Sequence, residues 1–70
     1  MTKKYKLTNN TIHHYGKTLY QIELLKDCVI GKKGDLGGYV ESEDNLSQEG
    51  NAWVGGNAKV FGNGIVYGVL

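Results

Sequence analysis

From residue 45 onward, polar and apolar positions recur every six residues. Asn45, Asn51, Asn57 and Asn63 mark the period, and Gly50, Gly56 and Gly62 stand before the last three. Leu46, Ala52, Ala58 and Gly64 follow the asparagines, with Gln48, Val54, Val60 and Val66 two places further on. The unit is G-N-A-x-V-x, in four copies of decreasing fidelity. A period of six is not helical. It suits a three-residue strand followed by a three-residue corner. The Ala and Val positions, two apart, then share one face of the strand. Gly and Asn tolerate the positive φ that a tight corner requires. Short strands joined by repeated corners build a solenoid. The hexads predict a left-handed parallel β-helix with about 18 residues per coil, and residues 35–70 supply two coils. Side chains 18 apart are then expected to stack: Leu36 on Val54, Val40 on Ala58, and Glu41 beside Lys59. Asn45 over Asn63 would form an amide ladder along one corner. The repeat runs out at Val69-Leu70, an apolar edge that needs a cover.

The first 34 residues follow another pattern. "KYKLT" (4–8) alternates and reads as a short strand. "TIHHYGKTLYQIELLKD" (11–27) reads as a β-hairpin turning at Gly16-Lys17, with Tyr20, Ile22 and Leu24 on one face. A helix over 18–27 is the alternative. "GKKGDLGG" (31–38) is a loop into the first coil. The whole is expected to be all-β, a single domain in which a 1–34 cap covers the start of a 35–70 β-helix.

Charge adds an asymmetry. Residues 1–34 hold seven lysines against Glu23 and Asp27, and residues 35–70 hold Lys59 against five acids. Lys3, Lys4, Lys6, Lys32 and Lys33 are therefore candidate contacts for nucleic acid or an acidic partner. The chain has no Arg, the usual reader of phosphate and base edges, which argues against nucleic acid. Opposite charge on the two halves serves pairing of subunits equally well. Cys28 is the only cysteine, so the chain has no disulfide of its own; a lone thiol fits a reducing cytoplasm and a half-buried apolar role. No apolar run follows the basic start, and none has the length of a membrane span, so neither a signal peptide nor a membrane segment is expected.

Catalytic chemistry finds little support. His13 and His14 are adjacent, so in a strand they point to opposite faces, one exposed and one half-packed. Together with Cys28 they form no standard metal-ligand spacing. "ESED" (41–44) lacks the spaced ligands and glycine of a calcium loop. "GKKGDLGG" lacks the Lys-Ser/Thr ending of a phosphate-binding loop. No catalytic residue, metal or cofactor is expected. The aromatic positions say more. Trp53, Phe61, Ile65 and Tyr67 fall on outward positions of the coils and, with Val69 and Leu70, make a candidate protein interface. The alternative is that the hairpin folds over them.

"YKLT", "GKTLYQIELLKD", "KKGDLGGYVESEDNLSQEGNAWV" and "GNAKVFGN" carry a resemblance. They are similar to a family of bacterial and prophage proteins that begin with this module and continue into many G-N-A-x-V repeats. Some members are described as hexapeptide-repeat acyltransferases. The resemblance implies a left-handed β-helix and a phage or prophage setting. It leaves open a minimal form or a shortened gene. It does not imply an activity, because the transferase description rests on fold. Such enzymes use a His base in a cleft between trimer subunits, and here only His13 and His14 are candidates. The expected function is a non-enzymatic module that forms a dimer or trimer and binds a host protein, inhibiting a host factor such as a defence complex. Two alternatives remain: an acyltransferase-like subunit that binds coenzyme A, and a nucleic-acid binder using the basic half.

Overall fold

The computed structural model describes residues 3–69. Four strands form one sheet in the order β1-β2-β3-β4, with β1 Tyr5–His14, β2 Lys17–Leu24, β3 Leu36–Val40 and β4 Lys59–Val60. A single 3-10 turn spans Glu43–Asn45. The protein is all-β with a mixed sheet: β1/β2 and β2/β3 are antiparallel and β3/β4 is parallel.

The expected hairpin is present, and the helical alternative over 18–27 is not. Its turn lies at Tyr15-Gly16, one residue earlier than expected, between the facing pair His14 and Lys17. Both turn residues have positive φ, 51° and 76°, as the two-residue turn that matches strand twist demands. The two strands expected at 4–8 and from 11 are one strand, β1, interrupted by an irregularity between Leu7 and Thr11. The interruption is held by side chains. The Thr8 hydroxyl donates to the Gln21 carbonyl at 2.7 Å, and the Asn10 amide donates to Gln21 Oε1 at 3.2 Å. β2 lies along the edge of β3 opposite to β4, so the hairpin pairs with the strand that precedes the hexads.

The repeat segment stacks on itself through parallel contacts in three places: β3 with β4, Leu46 with Val66, and Trp53 with Val69. The register differs from the expected 18. Val40 faces Val60 and Leu46 faces Val66, both 20 apart, whereas Trp53 faces Val69, 16 apart. The sides from Leu46 to Trp53 and from Trp53 to Val60 each take seven residues rather than six, so identical hexads do not give identical sides. Val40 therefore meets Val60 and not Ala58. Leu36 is half exposed and pairs with Glu23, and it is the Gly38 amide that donates to the Val54 carbonyl. Glu41 pairs with Lys17 at 3.6 Å and accepts from the Gly62 amide, leaving Lys59 to donate to the Asn57 carbonyl.

The corners use glycine alone for positive φ: Gly50, Gly56 and Gly62 lie at 62°, 54° and 66°, and the asparagines after them do not. Asn51, Asn57 and Asn63 are exposed. Asn45 differs, having no glycine before it. It closes a capping box, accepting from the Ser42 amide at 2.9 Å. Its amide then donates to the Gly62 and Gly64 carbonyls at 3.2 and 2.7 Å. It binds the backbone on either side of Asn63 rather than stacking on that side chain, so the expected amide ladder is replaced by a side-chain-to-backbone clamp.

The inward Ala and Val positions behave as the period predicts. Ala52, Val54 and Val60 are buried, with Ala58 and Val66 packed against them. They join Tyr5, Ile22 and Leu24 of the hairpin and Val40 of β3 in one core. Two glycines allow the close approach. A Cβ on Gly37 would meet the Val54 carbonyl oxygen at 2.5 Å and Trp53 Cζ2 at 2.8 Å; one on Gly38 would meet the Ala58 oxygen at 2.5 Å.

Candidate protein-binding surface

Trp53 is not on this surface. It is only 9% exposed and belongs to the core. Strand alternation puts it outward between Ala52 and Val54, but the hairpin supplies a second apolar layer there, with Ile22 and Trp53 both against the bare Cα of Gly37. For this residue the folded-over hairpin is the correct alternative. Phe61 is half-buried. Its ring meets His14 edge-on at 5.3 Å between centroids and Tyr15 at 6.2 Å, so the hairpin tip leans on the segment that follows β4. His14 and Tyr15 stand 4.3 Å apart. His13 is exposed and His14 partly covered, as adjacent strand positions require.

Ile65, Tyr67 and Val69 are exposed, Tyr67 and Val69 to 76% each. They follow one another along the stretch after β4. Leu70 lies outside the described residues. Tyr15 and Val29, each 83% exposed, add apolar surface at the hairpin tip and at the Cys28–Gly31 turn. Cys28 itself is exposed, contrary to the half-buried role expected for it, because it sits on that short surface turn.

Of the five candidate lysine contacts, two are already engaged within the chain. Lys4 is 2% exposed, and its ammonium donates to the Gly50 carbonyl at 3.4 Å and to the Ala52 carbonyl. Burial lowers its pKa from the usual lysine value. Lys3 pairs with Glu43 at 2.9 Å across an exposed surface. Lys6, Lys32 and Lys33 remain exposed. A lysine count reads charge, not burial, so it could not set Lys4 apart.

Two further residues organise this region without having been picked out as functional. Gln48 Oε1 accepts from the amides of Lys4 and Tyr5 at 2.8 and 3.3 Å. Gln48 occupies the position held by Val54, Val60 and Val66 in the other copies, and a polar residue at an inward position was the available signal. Tyr5 is fully buried and donates to the Leu46 and Glu43 carbonyls. Its pKa is pushed up to about 12 by burial, helped by the charges of Glu43 and Asp44.

A concavity of about 270 Å³ lies at the Asn45 corner, lined by Ser42, Asp44, Asn63 and Ile65. Among the described residues, no three of His, Cys, Asp and Glu come together as metal ligands. No helix among them is long and apolar enough to cross a membrane. Comparison with known protein families gives no match, and neither does comparison with curated proteins.

Proposed function

We propose that this chain is a non-enzymatic protein-binding module that associates with itself, its repeat wound as two coils of a left-handed β-helix. The parallel contacts on three sides of the repeat support the coil reading. One observation carries the binding role: Ile65, Tyr67 and Val69 stand exposed in succession on the second coil. Apolar side chains grouped on so small a protein mark contact surfaces, and tyrosine is a favoured interface anchor. The resemblance to prophage repeat proteins supplies the setting, a bacterial cytoplasm in which the assembled module grips and inhibits a host protein. Lys4 is committed to the core and Lys3 to Glu43, which weakens the nucleic-acid alternative.

Absolute mass by size exclusion with light scattering, over a range of concentrations, tests the proposal. A dimer or trimer is expected. A monomer at every concentration overturns self-association. Heat on adding acetyl-coenzyme A would favour the acyltransferase-like reading instead.

A further inference from the structure

We infer that Asn63-Gly64 is a self-modifying site: intramolecular deamidation there, held back by the Asn45 clamp, opens that corner of the repeat in one direction only. The inference stands apart from the binding role proposed above.

The sequence singles the site out. Among the asparagines of the chain, Asn63 alone is followed by glycine. The equivalent residue is Leu46, Ala52 or Ala58 in the other copies. Asparagine is among the thermolabile residues, and its lability depends on the residue after it. The backbone nitrogen of that residue is the nucleophile, and a side chain beside it crowds the attack. Glycine has no Cβ and gives this nitrogen the widest range of backbone angles. Asn63 and Gly64 are both exposed and line the concavity at the Asn45 corner, so water reaches the site.

The Gly64 nitrogen bonds to Asn63 Cγ, and the Cγ–Nδ2 bond breaks. The Gly64 amide proton leaves with Nδ2 as ammonia. One water then opens the five-membered imide. Opening at the side-chain carbonyl gives an aspartyl residue. Opening at the main-chain carbonyl gives an isoaspartyl residue, in which the backbone is longer by one carbon. The sum is one water in and one ammonia out.

The fold governs the rate. The Gly64 amide donates to the Phe61 carbonyl at 3.3 Å, beyond the usual range for such a bond. The Asn45 amide holds the carbonyls on either side of Asn63, that of Gly62 at 3.2 Å and that of Gly64 at 2.7 Å. Attack uses the Gly64 nitrogen after its proton is lost, so the bond to Phe61 breaks and the corner opens locally first. In the isoaspartyl product the added carbon moves the Gly64 carbonyl away from that of Gly62, and one Asn45 amide no longer bridges both. The new carboxylate also stands beside Asp44, which lines the same concavity. The corner does not close again as before, and Ile65, next in the chain, is displaced with it.

The test ages the full chain in warm, mildly alkaline buffer. Trypsin cuts after Lys59 and so separates Asn63 from Asn51 and Asn57. Mass spectrometry reads the exchange of NH2 for OH in each peptide. Asn63 is expected to convert several-fold faster than Asn51 and Asn57, and equal rates would overturn the inference. Asn45→Ala should speed conversion at Asn63 several-fold further. Wild type held in enough urea to match the stability of that variant is the control; equally fast conversion there would show that global unfolding sets the rate and would overturn the role of the clamp. Asn63→Asp brings the charge without the extra carbon. The isoaspartyl form, isolated by chromatography, is expected to unfold at a lower urea midpoint than N63D, and equal midpoints would overturn the one-way opening.

Discussion

The Tyr5 hydroxyl donates to the Leu46 carbonyl at 2.6 Å, joining residues 41 apart in the chain. It also lies 2.9 Å from the Glu43 carbonyl. One buried proton thus serves the Glu43 carbonyl of the 3-10 turn and the Leu46 carbonyl at its C-terminal cap, and ties the start of the hairpin to that turn.

Tyr5→Phe removes that proton and leaves buried acceptors unmet. It should cost about 1–3 kcal/mol, read as a lower urea midpoint at neutral pH. The same hydroxyl sets an alkaline limit. Its folded pKa of about 12 lies above the ordinary value of 10.0. The unfolded chain therefore loses this proton first as pH rises, and the stabilisation is complete below pH 10 and lost on passing through 12. Lys4 acts in the opposite sense. Its lowered pKa means that the folded state bears a cost while Lys4 is charged, relieved as pH approaches the unfolded value of 10.5. Stability should fall from pH 10 to 12 in wild type and fall less in Tyr5→Phe. Equal slopes in urea titrations across this range would show that Tyr5 does not control the transition.

Asn45 makes three bonds of two kinds, and substitutions can separate them. Asn45→Ala loses the bond from Ser42 and both bonds to Gly62 and Gly64, at about 2–3 kcal/mol. Asn45→Asp keeps the acceptor toward Ser42 but turns a carboxylate toward two carbonyl oxygens. Above the carboxylate pKa it should be at least as damaging as alanine, and milder in acid. Asn51→Ala, at an exposed corner, should stay within about 0.5 kcal/mol. Thermal melts of the three variants check the order.

Local features were legible in the sequence. The six-residue period placed the corners and the inward Ala52, Val54 and Val60, because both follow from nearest-neighbour geometry. Tyr15-Gly16 was placed within one residue, from glycine chemistry. The stacking register was not legible: facing positions lie 20 apart at Val40–Val60 and Leu46–Val66 but 16 apart at Trp53–Val69, and a uniform hexad repeat encodes neither spacing. Trp53 was misplaced because alternation describes one sheet face, while the hairpin adds a second apolar layer. Of the candidate surface, Ile65 and Tyr67 are exposed at the outward positions expected, Val69 of the apolar edge is exposed as well, Phe61 is half-covered and Trp53 is buried. Lys4 shows the limit of composition: a cation beside other cations in sequence lies buried against two carbonyls in space.

Gly37 predicts a sharp contrast with Gly68. A methyl group on Gly37 would enter the space of the Val54 oxygen and of the Ile22 and Trp53 side chains, all within 2.8 Å. Backbone cannot yield as a side chain does, so Gly37→Ala should cost at least about 3 kcal/mol and leave much of a small domain unfolded at 37 °C. Gly68 has open space around its Cα, and Gly68→Ala should shift stability by less than about 0.5 kcal/mol. Urea unfolding of both variants decides the matter; similar midpoints would mean that the Gly37 contact is not tight.

Trp53 is the only tryptophan and sits in the core beside hairpin residues. Its emission should be blue-shifted and poorly quenched by iodide in the native state, moving red in one step with urea. Trp53→Ala should cost about 3–5 kcal/mol, a large part of the stability of a domain this size. An emission already red and freely quenched under native conditions would place the indole outside the core.

Tyr15 carries backbone strain that its burial does not repay. Its φ is 51°, the sole positive value outside glycine among the described residues, and the side chain is 83% exposed. The turn type favours Asn at this position, before Gly16. Tyr15→Asn should relieve about 1–2 kcal/mol of strain and forgo about 0.5 kcal/mol of aromatic contact with His14 and Phe61. The net gain of about 1 kcal/mol corresponds to a melting temperature higher by about 4–8 °C. A residue retained against its own stability is a candidate contact, so the same variant should bind a captured partner more weakly while melting higher. A lower melting temperature would show instead that the cluster of His14, Tyr15 and Phe61 holds the hairpin tip to the segment after β4, and that Tyr15 is kept for the fold.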